Sequence, residues 1–347
     1  MRILITGNLG YVGPGLVSHL RNRWPDAELW GFDTGYFAHC LTGSDRSPEL
    51  DLTAQFYGDL RNFPIPLLKG VDAVINLAAI SNDPMGNQFA AVTEDINHRA
   101  GVALAAAARQ AGVRTFVFAS SCSVYGFAAD GARNEGSPVD PLTAYARSKV
   151  ATERDLQDLA CPGFRVTCLR FATACGWSDR LRLDLVLNDF VASAMAAGRI
   201  TILSDGTPWR PLIHVADMAR ALEWACQRGP EGGDYLVVNA GSDGWNYQVK
   251  DLATGVAAAF PGVEVSINPH AAPDRRSYRV DFSRYRQLAP HHQPQIQLPE
   301  AVLGLKRGLE RMGFSDPVFR ESPLIRLQTL RRHLDQGRLN SDLRWTS

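Results

Sequence analysis

The 347-residue chain is 45% hydrophobic and 21% charged, an ordinary globular composition long enough for a full core and a second, smaller domain. Its 36 basic and 36 acidic residues cancel, which argues against a nucleic-acid or anionic-membrane partner, and no apolar run reaches the roughly 20 residues a membrane helix needs. Six cysteines show neither a C-x-x-C pair nor histidine at metal spacing, so they read as reduced, mostly buried thiols with no metal to hold.

Met1-Arg2 runs straight into a first strand, Arg2–Thr6, which predicts a cytoplasmic protein without a leader. A first helix is expected over Gly13–Arg23 and a second strand over Glu28–Asp33. Ala73–Leu77 is continuous and apolar, as a strand covered on both faces must be. Ala91–Gly112 reads as a long alanine-rich helix ended by Gly112. Thr115–Ser120 is another buried strand, Ala144–Leu159 a helix and Arg165–Phe171 a further strand. This alternation predicts an α/β fold, a Rossmann-type doubly wound parallel sheet.

After Phe171 the texture changes to loops rich in Gly, Pro, Trp and Arg. Leu212–His214 and Tyr235–Asn239 read as strands and Met218–Cys226 as a helix. The expected organisation is a nucleotide-binding domain over 1–171 to which 211–240 returns. A smaller mixed α/β domain for substrate is then assembled from 172–210 and 241–347.

Gly7-x-x-Gly10-x-x-Gly13, with Tyr11 and Val12 inside it, closes a strand and opens a helix. Small residues there let the backbone approach a pyrophosphate, and the helix N-terminus offers unpaired N–H groups. Asp33 ends the second strand about 20 residues later, where an acid accepts from a ribose 2′-hydroxyl and repels a 2′-phosphate. Thr34-Gly35-Tyr36 supplies no arginine to neutralise such a phosphate, so NAD is favoured over NADP.

Tyr145 and Lys149 stand four residues apart, on one face of their predicted helix. A free phenol, with a pKa of about 10, is too weak a base at neutral pH. A lysine ammonium beside it, together with an oxidised nicotinamide, is expected to favour the phenolate.

These pieces together resemble the extended short-chain dehydrogenase/reductase superfamily, in its nucleotide-sugar epimerase/dehydratase branch. The residues that carry the resemblance are Thr6-Gly7-x-x-Gly10-x-x-Gly13, Gly58-Asp59-Leu60, Asn76-Leu77-Ala78-Ala79, Ser120-Ser121-Cys122-Ser123-Val124-Tyr125-Gly126, Tyr145-x-x-x-Lys149 and Arg170-Phe171. Beyond 171 it thins to Trp209-Arg210-Pro211-Leu212-Ile213-His214-Val215-x-Asp217 and Asp274-Arg275-Arg276-Ser277-Tyr278-Arg279.

The resemblance implies an enzyme with NAD as cofactor and a nucleoside-diphosphate sugar as partner. Tyr145 becomes the acid/base, with Lys149 and the Ser121 hydroxyl completing the catalytic set. Asp59 and Leu60 would position the adenine, and Leu77, Ala78 and Ala79 would let the nicotinamide half pass. Arg210 and Arg276 (or Arg275) would grip the substrate diphosphate, while Arg182 and Asn188 meet the nucleotide and sugar. Asn97 takes a structural role. A homodimer through the helices at 91–112 and 144–159 is expected on the same ground.

Family dehydratases carry an Asp-Glu pair directly after the catalytic hydroxyl; here those places are Cys122 and Ser123. Water elimination is therefore disfavoured and epimerisation at C4 through a transient 4-keto sugar is favoured, with Cys122 expected to face the core. The alternatives are net oxidation or reduction of a nucleotide sugar, a dehydratase with atypical acid/base residues, and a non-catalytic NAD-sensing protein on the same fold. The scattered histidines show no acid/base or metal arrangement and are set aside.

Overall fold

The computed structural model describes residues 1–43, 45–268, 271 and 277–346. Seven strands form one parallel sheet: β1 (Arg2–Thr6), β2 (Glu28–Asp33), β3 (Ala54–Tyr57), β4 (Ala73–Asn76), β5 (Thr115–Ser121), β6 (Arg165–Phe171) and β7 (Tyr235–Ala240). They lie in the order β3-β2-β1-β4-β5-β6-β7. β1 has β2 on one side and β4 on the other, with Thr6 level with both Phe32 and Asn76. The chain direction across the sheet reverses there, and the crevice beyond the carboxyl ends of β1 and β4 is where such sheets bind ligands.

Both faces of the sheet are covered. Along β1, Ile3 and Ile5 enter one core layer and Leu4 the other, the alternation that the two-residue period of a strand demands. This double burial explains why β1, β4 and β5 read as continuous apolar runs.

β3 was invisible in the sequence pattern. It has four residues, Ala54 to Tyr57, none of them buried, and it lies at the sheet edge, where little apolar area is needed. The alanine-rich helix also differs from its simple reading. It starts at Ala90, widens into a π-turn over Glu94–Ala100 and resumes as an α-helix to Gln110. Within the wide turn Asn97 accepts from the Ile80 N–H at 2.8 Å and donates to the Ile80 carbonyl at 3.0 Å and to Ser148 Oγ at 3.1 Å.

The segment 211–240 is divided between two sheets. Tyr235–Ala240 pairs with β6 at the edge, but the strand Trp209–His214 belongs to a separate three-stranded sheet with Thr173–Cys175 and Asn246–Gln248. Leu212–His214 pairs on one side only and Trp209–Pro211 on the other, a setting that accommodates Pro211, which has no N–H to give. The helix Val215–Gln227 then packs beside Gly13–Arg23, where Glu223 accepts from His19 at 2.7 Å and Arg23 at 2.9 Å.

Candidate active site

A cavity of about 1060 Å³ opens over the carboxyl ends of β1, β2, β4 and β5. Gly7, Gly10, Tyr11, Val12, Asp33, Asp59, Leu60, Leu77, Ala78 and Ala79 line it, as do Ser121, Tyr145, Lys149, Arg182 and Arg210. Two expected residues lie behind the wall. Gly13 is absent from the lining, and its own reason to be glycine is local: a Cβ would stand 1.8 Å from the Asn8 carbonyl oxygen. Asn188 is fully buried and its amide is spent internally. It accepts from the Gly176 N–H at 3.0 Å and donates to Tyr11 Oη at 3.0 Å and the Arg182 carbonyl at 2.8 Å. Arg276, with Arg275, lies outside the described residues.

The glycine loop is shaped by the strand beside it. Gly7 has φ +76°, and a Cβ there would meet the Ala78 nitrogen at 2.5 Å, so both conformation and space require glycine. The 11-residue helix after the loop has no side-chain cap at its N-terminus, leaving its first N–H groups for an anionic ligand. Asp33 closes the far side, its carboxylate accepting from the Leu9 N–H at 3.0 Å and the Gly35 N–H at 2.7 Å. Burial nonetheless raises its pKa. A glycine loop, an uncapped helix end and an acid at the next strand end form the donor and acceptor set that a dinucleotide fits.

At the other end of the cavity Thr143 caps the helix Ala144–Gln157 by accepting from the Ala146 N–H at 3.1 Å. That start puts Tyr145 in the first turn and Lys149 one turn on, both facing β5. Ser121, the last residue of β5, lies within hydrogen-bonding reach of the Tyr145 phenol. Its neighbour Ser120 takes the opposite face and donates to Glu153 at 2.5 Å. Cys122 is fully buried and donates to the Arg170 carbonyl at 3.1 Å. Burial pushes its thiol far up, so it has neither access nor a thiolate to offer.

The electrostatics depart from the simple expectation. Burial pushes the Tyr145 phenol up to about 12, against the lowering by its hydrogen bond with Ser121. The same burial pulls Lys149 down to about 7. Lys149 is 2% exposed, donates to the Ala119 carbonyl at 2.7 Å and stands 5.5 Å from the Tyr145 ring centroid. Both charged forms are short of solvation, so the lysine does not hold the phenol near neutrality in the protein alone. Arg182 is a cation that favours the phenolate.

Arg182 itself is committed. Its guanidinium forks onto Asp184 at 2.9 and 3.0 Å and donates to Ser81 Oγ at 2.8 Å and to the Ser81 carbonyl at 3.1 Å. Arg210 donates to the Trp209 carbonyl at 3.0 Å. Sequence reasoning missed Ser123, whose buried hydroxyl has no hydrogen-bond partner among the described residues and which lines the cavity. It also missed Asn82, a non-glycine residue at φ +127° that donates to Asp184 at 2.8 Å. No local pattern marks either one. Among the described residues no group of three or more His, Cys, Asp or Glu is arranged to hold a metal, and no helix is long and apolar enough to cross a membrane.

The chain belongs to the NAD-dependent epimerase/dehydratase family, whose model matches residues 3–241. It is 30% identical over 318 residues to a UDP-glucose 4-epimerase of Mycolicibacterium smegmatis, spanning 87% of this chain and 96% of that one. It is also 28% identical over 294 residues to a dTDP-glucose 4,6-dehydratase of Streptomyces griseus, spanning 82% and 87%. The solved structure of MoeE5 in complex with UDP-glucuronic acid and NAD is 27% identical, with TM-score 0.75 over 90% of this chain and 99% of that one. The protein is therefore an enzyme of this family, with NAD as cofactor.

Proposed function

We propose that the protein is a nucleotide-sugar epimerase acting at C4 through a transient 4-keto sugar. The observation that carries this reading is the arrangement around Tyr145. Ser121, Tyr145 and Lys149 meet at the cavity, and no carboxylate occupies positions 122 and 123. Two carboxylates that share the cavity with Tyr145 are engaged elsewhere: Asp83 accepts from Thr143 Oγ1 at 2.7 Å, and Asp184 is held by Arg182 and Asn82. A dehydratase needs an acid for the leaving hydroxyl and a separate base, and this site presents neither in a free state.

When bound, NAD supplies the hydride acceptor and donor. Gly7, Gly10, Tyr11, Val12 and the uncapped helix end would hold its diphosphate, Gly13 letting that loop close against Asn8. Asp33 would hold the adenosine ribose, Asp59 and Leu60 the adenine, and Leu77 to Ala79 the nicotinamide half. Tyr145 removes the proton from the sugar hydroxyl and later returns it. Ser121 holds the reacting oxygen and stabilises its alkoxide character. With the phenol at about 12 in the protein alone, the positive charge of the oxidised cofactor is what makes Tyr145 a usable base. Arg210, with Arg276 or Arg275 as a second contact, would bind the substrate diphosphate, since a guanidinium offers paired donors. The same family reading supports a homodimer through the helices over 90–110 and 144–157.

An epimerase returns the hydrogen it removes. A substrate deuterated at C4 is expected to give a product of unchanged mass that keeps deuterium at C4, with no NADH accumulating. Stoichiometric NADH by absorbance would make it a dehydrogenase, and loss of one water by mass a dehydratase.

The ribose contact makes a second prediction. Because Asp33 repels a 2′-phosphate, NAD(H) is expected to bind at least roughly tenfold tighter than NADP(H), about 1.4 kcal/mol. Asp33→Ser should narrow that gap. Equal calorimetric affinities of the unmodified protein for the two cofactors would remove Asp33 from the role.

A further inference from the structure

Arg182 and Arg326 line the cavity, and a third buried arginine, Arg180, stands behind them. Arg180 is 2% exposed and pairs with Glu49 at 2.5 Å. Arg182 is 7% exposed and pairs with Asp184 at 2.9 Å. Arg326 is 1% exposed and, among the described residues, pairs with no carboxylate. Its guanidinium donates to carbonyls, from Nη2 to Arg180 at 2.7 Å and from Nη1 to Pro323 at 3.2 Å. Taking a cation out of water without a counter-ion is costly, and it persists where an anion is to be met. Arg326 lines the cavity, so that anion has a place to be.

Position identifies the anion. The Arg326 guanidinium lies 5.1 Å over the ring of Phe37, on the loop that leaves β2 just after Asp33. Its Nη2 reaches the Arg180 carbonyl, Arg182 and Asp184 are near enough to act on its charge, and Arg182 acts on Tyr145 as well. Arg326 thus shares the cavity with Asp33 and Tyr145 and connects to the segment after Asp33 through Phe37 and to the reacting end through Arg182. The middle of a dinucleotide is its diphosphate. Arg326 also opens the helix Arg326–Asp335, ten residues long and without a side-chain cap at its N-terminus, which adds a partial positive charge at the same place.

Resting on the cofactor reading of this cavity, we propose that Arg326 contacts the diphosphate of NAD from the side opposite the glycine loop. The cofactor is then clamped between two helix N-termini 313 positions apart in the chain (Gly13 and Arg326). Such a clamp suits an enzyme that must keep its cofactor through the whole cycle. Phe37 orients the guanidinium, and the Arg180 carbonyl holds it in the wall.

The test is direct binding by calorimetry, with NAD, ADP, adenosine and UDP as probes and no nucleotide sugar present. In the unmodified protein ADP should bind more tightly than adenosine. Arg326→Gln should weaken ADP and NAD by roughly ten- to a hundredfold and leave adenosine unchanged, since only the charge-assisted contact is lost. Arg326→Lys keeps the charge without the fork and should fall between; it also serves if the glutamine variant does not fold. A purely structural role would weaken adenosine and ADP alike, and that outcome overturns the proposal. So does unchanged ADP affinity, or a loss confined to UDP, which would assign the cation to the substrate. If the unmodified protein binds neither NAD nor ADP, it is the cofactor reading of the cavity that fails.

Discussion

Tyr145→Phe lowers turnover by roughly 10²–10⁴, the range general acid–base catalysis contributes, while cofactor and nucleotide-sugar affinities stay within a few-fold. The ring remains and only the proton carrier goes. Tyr145 has its phenol within reach of Ser121, at the first turn of a helix fixed by the Thr143 cap. Because burial holds that phenol at about 12 without cofactor, it should titrate lower once oxidised NAD is bound. A spectroscopic titration of tyrosinate with and without NAD⁺, compared between the parent and Tyr145→Phe, reads this separately from rate. Turnover of the variant within a few-fold of the parent would show that another group moves the proton.

The second large effect is on stability. Glu153→Ala is expected to cost about 3–5 kcal/mol, as removal of one partner of a buried ion pair does. Glu153 is 4% exposed and takes both arms of Arg170, at 3.0 and 2.7 Å, as well as the Ser120 hydroxyl. Arg170 also donates to Tyr125 Oη at 3.0 Å, which in turn donates to Asn239 at 2.7 Å. The cluster ties the helix of Tyr145 and Lys149 to β5, β6 and β7. Taking away the carboxylate strands a guanidinium in the core. Replacing both partners, Glu153→Leu with Arg170→Met, should recover much of the loss, because no charge is then left unpaired. Urea unfolding of the single and double variants measures both. A loss below about 1 kcal/mol in Glu153→Ala would mean that water reaches Arg170.

What was legible in the sequence follows from chain geometry. The glycine spacing fixes a strand–turn–helix, and Tyr145 with Lys149 are neighbours because a helix brings every fourth residue round. Asp33 stands at a strand end, and strand ends converge on the crevice in a parallel sheet. The alternation along β5 separates Ser120 from Ser121, so even the choice between adjacent serines could be made. Each of these relations spans one element or one short connection.

The remainder is set by burial and by contacts between distant segments, which no local pattern encodes. The sequence by itself determined the parallel sheet and the glycine turn at its crevice, because periodicity and spacing act over a few residues, while the set of Ser121, Tyr145 and Lys149 was implied by the family resemblance. Only the tertiary structure decided which charges are spent and which are left over. Asn188 reads as a sugar contact until its amide is found holding Tyr11, Gly176 and Arg182. Lys149 reads as the group that tunes Tyr145 until burial is seen to weaken both charges. Arg326 is one of many arginines until it is placed beside Arg180, 146 positions away, with no carboxylate paired to it among the described residues. Desolvation and pairing are properties of the packed interior, and they exist only once the distant segments have met.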